Sequence, residues 1–173
     1  MNRRHALTLG VAGVALAAGA GFGWWREQRN ALPPAEQALW DLQFDRPDGG
    51  TLQMAGLRGQ PLLLNFWATW CAPCVKEMPL LDAFQRARQA EGWRVVGLAV
   101  DSPTPVREFL QKLPVGFPVG LAGLTGVDLA RSLGNERGGL PFSAVFGRDG
   151  RIIARKLGSL SEQDLSNWAQ QPA

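Results

Sequence analysis

Apolar positions along the chain fall into segments with different periods. Pro61-Leu62-Leu63-Leu64-Asn65-Phe66-Trp67 is a short, nearly continuous apolar run, the pattern of a strand buried on both faces. From about Cys74 to Ala90 the period lengthens: Val75, Met78, Leu81 and Phe84 lie on one side and Lys76, Asp82, Gln85 and Gln89 elsewhere, which predicts a helix. Trp93 to Val100 is a second buried strand. Strand, helix and strand in that order form a βαβ unit, so the two strands should be parallel and the crossover right-handed.

The flanking segments complete a sheet. Leu42-Gln43-Phe44 and Thr51-Leu52-Gln53-Met54 alternate around Arg46-Pro47-Asp48-Gly49-Gly50, a hairpin pattern with turn chemistry between its arms. Thr104 to Leu113 reads as a helix with Pro105 near its start, Phe117 to Leu121 as a short strand, and Val127 to Leu133 as a helix stopped at Gly134. Pro141 to Phe146 and Ile152 to Lys156 flank Gly147-Arg148-Asp149-Gly150 as an antiparallel hairpin. Ser161 to Gln170 closes the chain as a helix, with Ser161 as N-cap and Leu165 and Trp168 as an apolar pair. The expected fold class is α/β: a mixed sheet with a central βαβ unit and a C-terminal antiparallel hairpin, flanked by helices, with an added N-terminal hairpin.

The first 25 residues follow a different rule. Ala6 to Trp25 is an uncharged run behind Arg3-Arg4, long enough to span a bilayer, but rich in Ala and Gly. Residues 1–25 are therefore read as a signal-anchor or a cleaved signal peptide, and either directs export. Trp24 and Trp25 before Arg26 suit a membrane interface and favour retention; Arg3-Arg4 also resembles the start of a twin-arginine signal. Residues 26–37, with Pro33-Pro34, read as an extended linker, leaving 38–173 as the folded domain.

Composition narrows the function. At 173 residues and 46% hydrophobic, the chain has room for one domain with a real core plus an appendage. The formal charge of +3 comes from Arg3, Arg4, Arg26 and Arg29 set against Glu27, so the folded part is neutral and lacks the basic footprint of a nucleic-acid binder. The single histidine, His5, lies outside the folded part, and the cysteines are two, Cys71 and Cys74. A structural zinc site, an iron–sulfur cluster, c-type haem attachment and a histidine-dependent catalytic site all lack their residues, and neither metal nor cofactor is expected.

What remains is thiol chemistry. Trp67-Ala68-Thr69-Trp70-Cys71-Ala72-Pro73-Cys74 sits where the first buried strand ends and the helix begins. Free backbone N–H groups and the positive end of the helix dipole favour a thiolate at Cys71, and two intervening residues let Cys74 close a disulfide with it. Cys71 is accordingly read as the nucleophile and Cys74 as the resolving thiol. A purely structural disulfide would close too small a loop to contribute much.

From Leu39 to Gln170 the chain resembles the thioredoxin superfamily, and within it the membrane-anchored TlpA/ResA-type thiol-disulfide oxidoreductases of bacteria. The resemblance rests on Asn65 through Cys74, on Pro79 inside the helix, and on Gly139-Leu140-Pro141 ahead of the second hairpin. It implies a thioredoxin-like fold with a cis bond at Pro141, where the Leu140 backbone pairs with an extended substrate and Trp70 shapes the groove. It also implies a departure from ordinary thioredoxins, which carry a buried Asp where this chain has Asn65. An amide does not titrate, and Glu77, three residues after Cys74, takes the place of the missing acid.

The expected function is an exported disulfide reductase with Cys71, Cys74 and Glu77 as catalytic residues and Trp70, Leu140 and Pro141 as substrate-binding ones. The resemblance implies partners as well: a disulfide-bearing exported protein such as apocytochrome c or a copper-site protein, and a transmembrane thiol donor. It places the domain on the periplasmic side of the bacterial inner membrane, either anchored or soluble after cleavage. The competing reading is a copper chaperone using the same two cysteines as soft ligands. A thiol peroxidase would want a Pro-x-x-x-Thr/Ser-x-x-Cys pattern, which the segment before Cys71 lacks.

Overall fold

The computed structural model describes Gly19, Trp24, Trp25 and residues 31–171. It divides into two compact units, Met1–Leu32 and Pro33–Ala173. In the first, Gly19, Trp24 and Trp25 are helical, and most of the expected signal-anchor lies outside the described residues. Among the described residues no helix is long and apolar enough to cross a membrane.

The second unit starts with a helix, α1 (Pro34–Trp40), in place of the extended linker to residue 37 that Pro33-Pro34 predict. The two prolines start this helix. Pro33 is its extended N-cap, and Pro34 occupies the first helical position, where a missing N–H costs nothing and a fixed φ is already helical. Tertiary contacts then hold α1. Leu39 and Trp40 are fully buried, the Trp40 indole N–H donates to the Gly150 carbonyl at 3.0 Å, and its ring meets Phe146 edge-on. The buried Glu36 carboxylate accepts from the Ile152 N–H.

The strands are β1 (Gln43–Asp45), β2 (Thr51–Gln53), β3 (Leu62–Trp67), β4 (Arg94–Ala99), β5 (Val119–Leu121), β6 (Phe142–Phe146) and β7 (Ile152–Leu157). They form one sheet in the order β2-β1-β5-β4-β3-β6-β7. β3, β4 and β5 are parallel, while β1 with β2, β1 with β5, β3 with β6 and β6 with β7 pair antiparallel. The remaining helices are α2 (Ala72–Arg88), α3 (Pro103–Lys112), α4 (Gly126–Ser132) and α5 (Glu162–Ala169). β3 and β4, joined by α2, are the βαβ unit read from the periodicity.

All six residues of β3 are buried, as its apolar run predicts. Leu63 and Trp67 face a core with Met78, Leu81 and Phe84 of α2, Val106 of α3, and Leu165 and Trp168 of α5. The Trp67 indole lies across β4 over Gly97, where a Cβ would sit 3.0 Å from its nitrogen. Asn65 faces this same side, because side chains alternate along a strand.

Two residues placed on the polar side of α2 by their type prove buried. Asp82 accepts from the Gly116 N–H at 2.6 Å and pairs with Arg86, and Gln85 accepts from the Val95 N–H at 2.6 Å. The reason for Gln85 is local: β5 pairs with β4 only from Gly97 onward, so Val95 lacks a strand on that side.

Candidate redox site

The site is built at the end of β3. The Val100 N–H donates to the Trp67 carbonyl, and Asp101 then clamps the segment before the cysteines. Its Oδ2 accepts the Thr69 N–H at 2.9 Å and the Thr69 hydroxyl at 2.5 Å, while Oδ1 accepts the Ser102 N–H. Sequence reading missed Asp101; the available signal was a carboxylate directly after a buried parallel strand, beside the βα loop that carries the cysteines.

Cys71 is the N-cap of α2, which begins two residues before the periodicity alone placed it. Its Sγ accepts from the Cys74 N–H at 3.3 Å, one of the donors a helix start leaves free, and Pro73 falls where no donor is needed. Cys71 and Cys74 form a disulfide of 2.07 Å. Cys71 is 6% exposed and Cys74 fully buried, so what solvent contact the pair has is through Cys71. Trp70, immediately before it in the chain, is 69% exposed.

The Leu140-Pro141 peptide bond is cis. Asn135 holds the loop from within, donating to the Gly139 carbonyl at 2.8 Å, and the Pro141 carbonyl accepts from the Gly158 N–H. Pro141 is buried, and the half-buried Leu140 packs on the same core cluster as the two cysteines.

Glu77 is 3% exposed and lies one helical turn beyond Cys74, on the same buried face. Its Oε1 accepts from Asn65 Nδ2 at 2.8 Å and its Oε2 from the Leu160 N–H at 2.9 Å. Asn65 Nδ2 also donates to the buried Ser143 hydroxyl at 3.0 Å, while Asn65 Oδ1 has no partner. Burial pushes the Glu77 carboxyl above its ordinary value of 4.5; the Leu160 and Asn65 hydrogen bonds and the Lys156 charge oppose that rise. The geometry thus brings Glu77 and the Asn65 amide into one buried pair.

A helix-capping cysteine, 6% exposed and bonded to a fully buried partner, on a mixed sheet with a cis-proline loop, defines a thioredoxin-like thiol-disulfide oxidoreductase. The chain belongs to the Redoxin family, which it matches over residues 31–171. It is 28% identical over 124 residues to the thiol-disulfide oxidoreductase ResA of Bacillus cereus, covering 71% of this chain and 69% of that protein. The thiol:disulfide interchange protein of the thioredoxin family from Chlorobium tepidum is similar in structure, with a TM-score of 0.66 and 26% identity over 76% of this chain and 92% of that one. StoA from Bacillus subtilis shares the fold, with a TM-score of 0.61 and 22% identity over 75% of this chain and 96% of that one.

Proposed function

We propose that the protein is an exported disulfide reductase, held on the periplasmic side of the bacterial inner membrane by residues 1–25. It draws electrons from a transmembrane thiol donor and delivers them to a disulfide in an exported partner, of the kind found in apocytochrome c or a copper-site protein. The observation that carries the reading is the pairing of a near-surface Cys71 with a buried Cys74 at the start of α2. Ala72-Pro73 between them resembles the reducing members of the superfamily.

In the reduced protein the Cys71 thiolate attacks one sulfur of the partner disulfide, forming a mixed disulfide and releasing the other partner sulfur as a thiolate, which takes up a proton. The Cys74 thiol then gives its proton to Glu77 and attacks Cys71 Sγ, closing the internal disulfide and expelling the second partner thiolate. Two electrons leave the dithiol and the partner gains two thiols. Trp70 and the cis-proline loop at Leu140-Pro141 hold the partner chain extended across Cys71.

Substituting each cysteine tests the assignment. Cys71→Ser should abolish turnover, and Cys74→Ser should accumulate a mixed disulfide with the partner, visible as a reducible heavier band. Intact turnover in Cys74→Ser would overturn the roles. Equilibration with glutathione or dithiothreitol should give a potential at the reducing end of the superfamily's range, nearer to about −270 mV than to about −120 mV.

A further inference from the structure

Glu77 is reached from the edge of the sheet by a row of polar side chains. Asn65 on β3 lies opposite Ser143 on β6, and Ser143 opposite Lys156 on β7, so the three stand side by side across neighbouring strands. The row runs from a fully buried amide through a buried hydroxyl to a lysine one-third exposed at the edge strand. Lys156 Nζ is fixed there by Asp164 of α5. Asp164 in turn accepts from the Ser161 N–H at 2.7 Å and from the Ser161 hydroxyl. The residue before Ser161 is Leu160, whose N–H is the second donor to Glu77. One ion pair therefore secures both the turn that presents Leu160 and the cation at the far end of the row, whose charge acts on Glu77.

We infer that Lys156, anchored by Asp164, is a positioning residue for the redox reaction, setting the charge state of Glu77 and with it the pH at which the dithiol turns over. The inference rests on the proton-accepting role proposed for Glu77. Asn65 from β3 and the Leu160 N–H ahead of α5 bond Glu77; around them stand Cys74 one turn earlier on its helix, Ser143 from β6 behind Asn65, and Lys156 from β7, which acts on Glu77 through its charge and has Asp164 behind it. Lys156 is the cation among them, and its charge favours the carboxylate that burial disfavours. Lys156 is one-third exposed, and Lys156→Arg keeps both its charge and its pairing with Asp164, so the arginine variant separates loss of charge from loss of the turn.

The experiment uses the full chain in detergent. The Glu77 carboxyl is titrated by carbon-13 NMR, and the alkylation rate of the reduced protein is followed against pH, for the wild type, Lys156→Met, Lys156→Arg, Glu77→Gln and the Glu77→Gln/Lys156→Met double variant. Lys156→Met should move the Glu77 titration to higher pH, and within that window its thiols should alkylate faster, because a neutral Glu77 no longer opposes a thiolate. Lys156→Arg should restore the wild-type curves, and in the double variant the lysine substitution should have no further effect. Wild-type curves for Lys156→Met, beside a displaced Glu77→Gln profile, would overturn this inference alone. A wild-type alkylation profile for Glu77→Gln would overturn the role of Glu77 and the inference together.

Discussion

At the scale of single residues, the proposed proton transfer turns on a carboxylate and an amide 2.8 Å apart. Burial raises the Glu77 carboxyl above 4.5, so the folded protein holds this proton more tightly than the unfolded chain does. The stabilisation this provides is complete below 4.5 and is lost as pH rises through the raised value. Glu77→Gln removes that slope: in urea unfolding at a series of pH values, the wild type should lose stability relative to the variant as pH climbs through this window. The glutamine keeps its acceptor for Leu160, and Asn65 can turn its unpartnered Oδ1 toward the new amide. Asn65→Asp has the opposite character. Two carboxylates would share one buried site, one would hold its proton to higher pH, and the thiol alkylation profile should acquire an additional step.

Among the elements, α1 and the β7–α5 turn matter most. Trp40 is 1% exposed, bonded to Gly150 and packed on Phe146, so Trp40→Ala should cost about 3–5 kcal/mol in urea unfolding. A loss below about 1 kcal/mol would return α1 to the status of a linker. At the other element, Ser161 caps α5 in a reciprocal arrangement with Asp164, and Ser161→Ala should cost about 1 kcal/mol. The bonds from Lys156 and Ser161 hold the Asp164 carboxyl down to about 2, against an ordinary 3.8. Its contribution is present above 3.8 and disappears as pH falls through about 2, which amide exchange in α5 should report.

For the whole molecule, the redox state and the stability are linked. A disulfide that is hard to reduce in the folded protein is one the fold stabilises relative to the dithiol. Reduction also places a thiolate in a site that already holds Glu77. The oxidised protein should therefore resist urea better than the reduced one at neutral pH, by about 2 kcal/mol or more, and Glu77→Gln should narrow the gap. A reduced form that is the more stable of the two would mark an oxidant. Export and anchoring are checked by fractionation and N-terminal sequencing: an intact N-terminus in the membrane fraction is expected, and a mature chain beginning near Gly21 would show cleavage.

Much of this protein was legible along the chain because the informative signals are local. Periodicity located β3, α2, β4 and the β6–β7 hairpin to within a few residues, since a buried strand and an amphipathic helix impose different repeats on nearby positions. The cysteine pair was readable because a disulfide across two residues at a helix start needs no distant partner. Distant contacts decided the rest. α1 forms because Leu39 and Trp40 find a pocket against residues more than a hundred positions away, a gain invisible in a segment that begins with two prolines. Asp82, Gln85 and Asp101 look like surface residues by type, and become buried or bonded only where another segment leaves a backbone N–H without a partner. Glu77 itself could be named from its spacing, but its environment depends on Asn65, Ser143, Lys156 and Leu160, which the sheet register and the last turn bring together. Residue type and spacing determine which groups can react; the register of the strands determines which charges surround them and hence where they exchange protons.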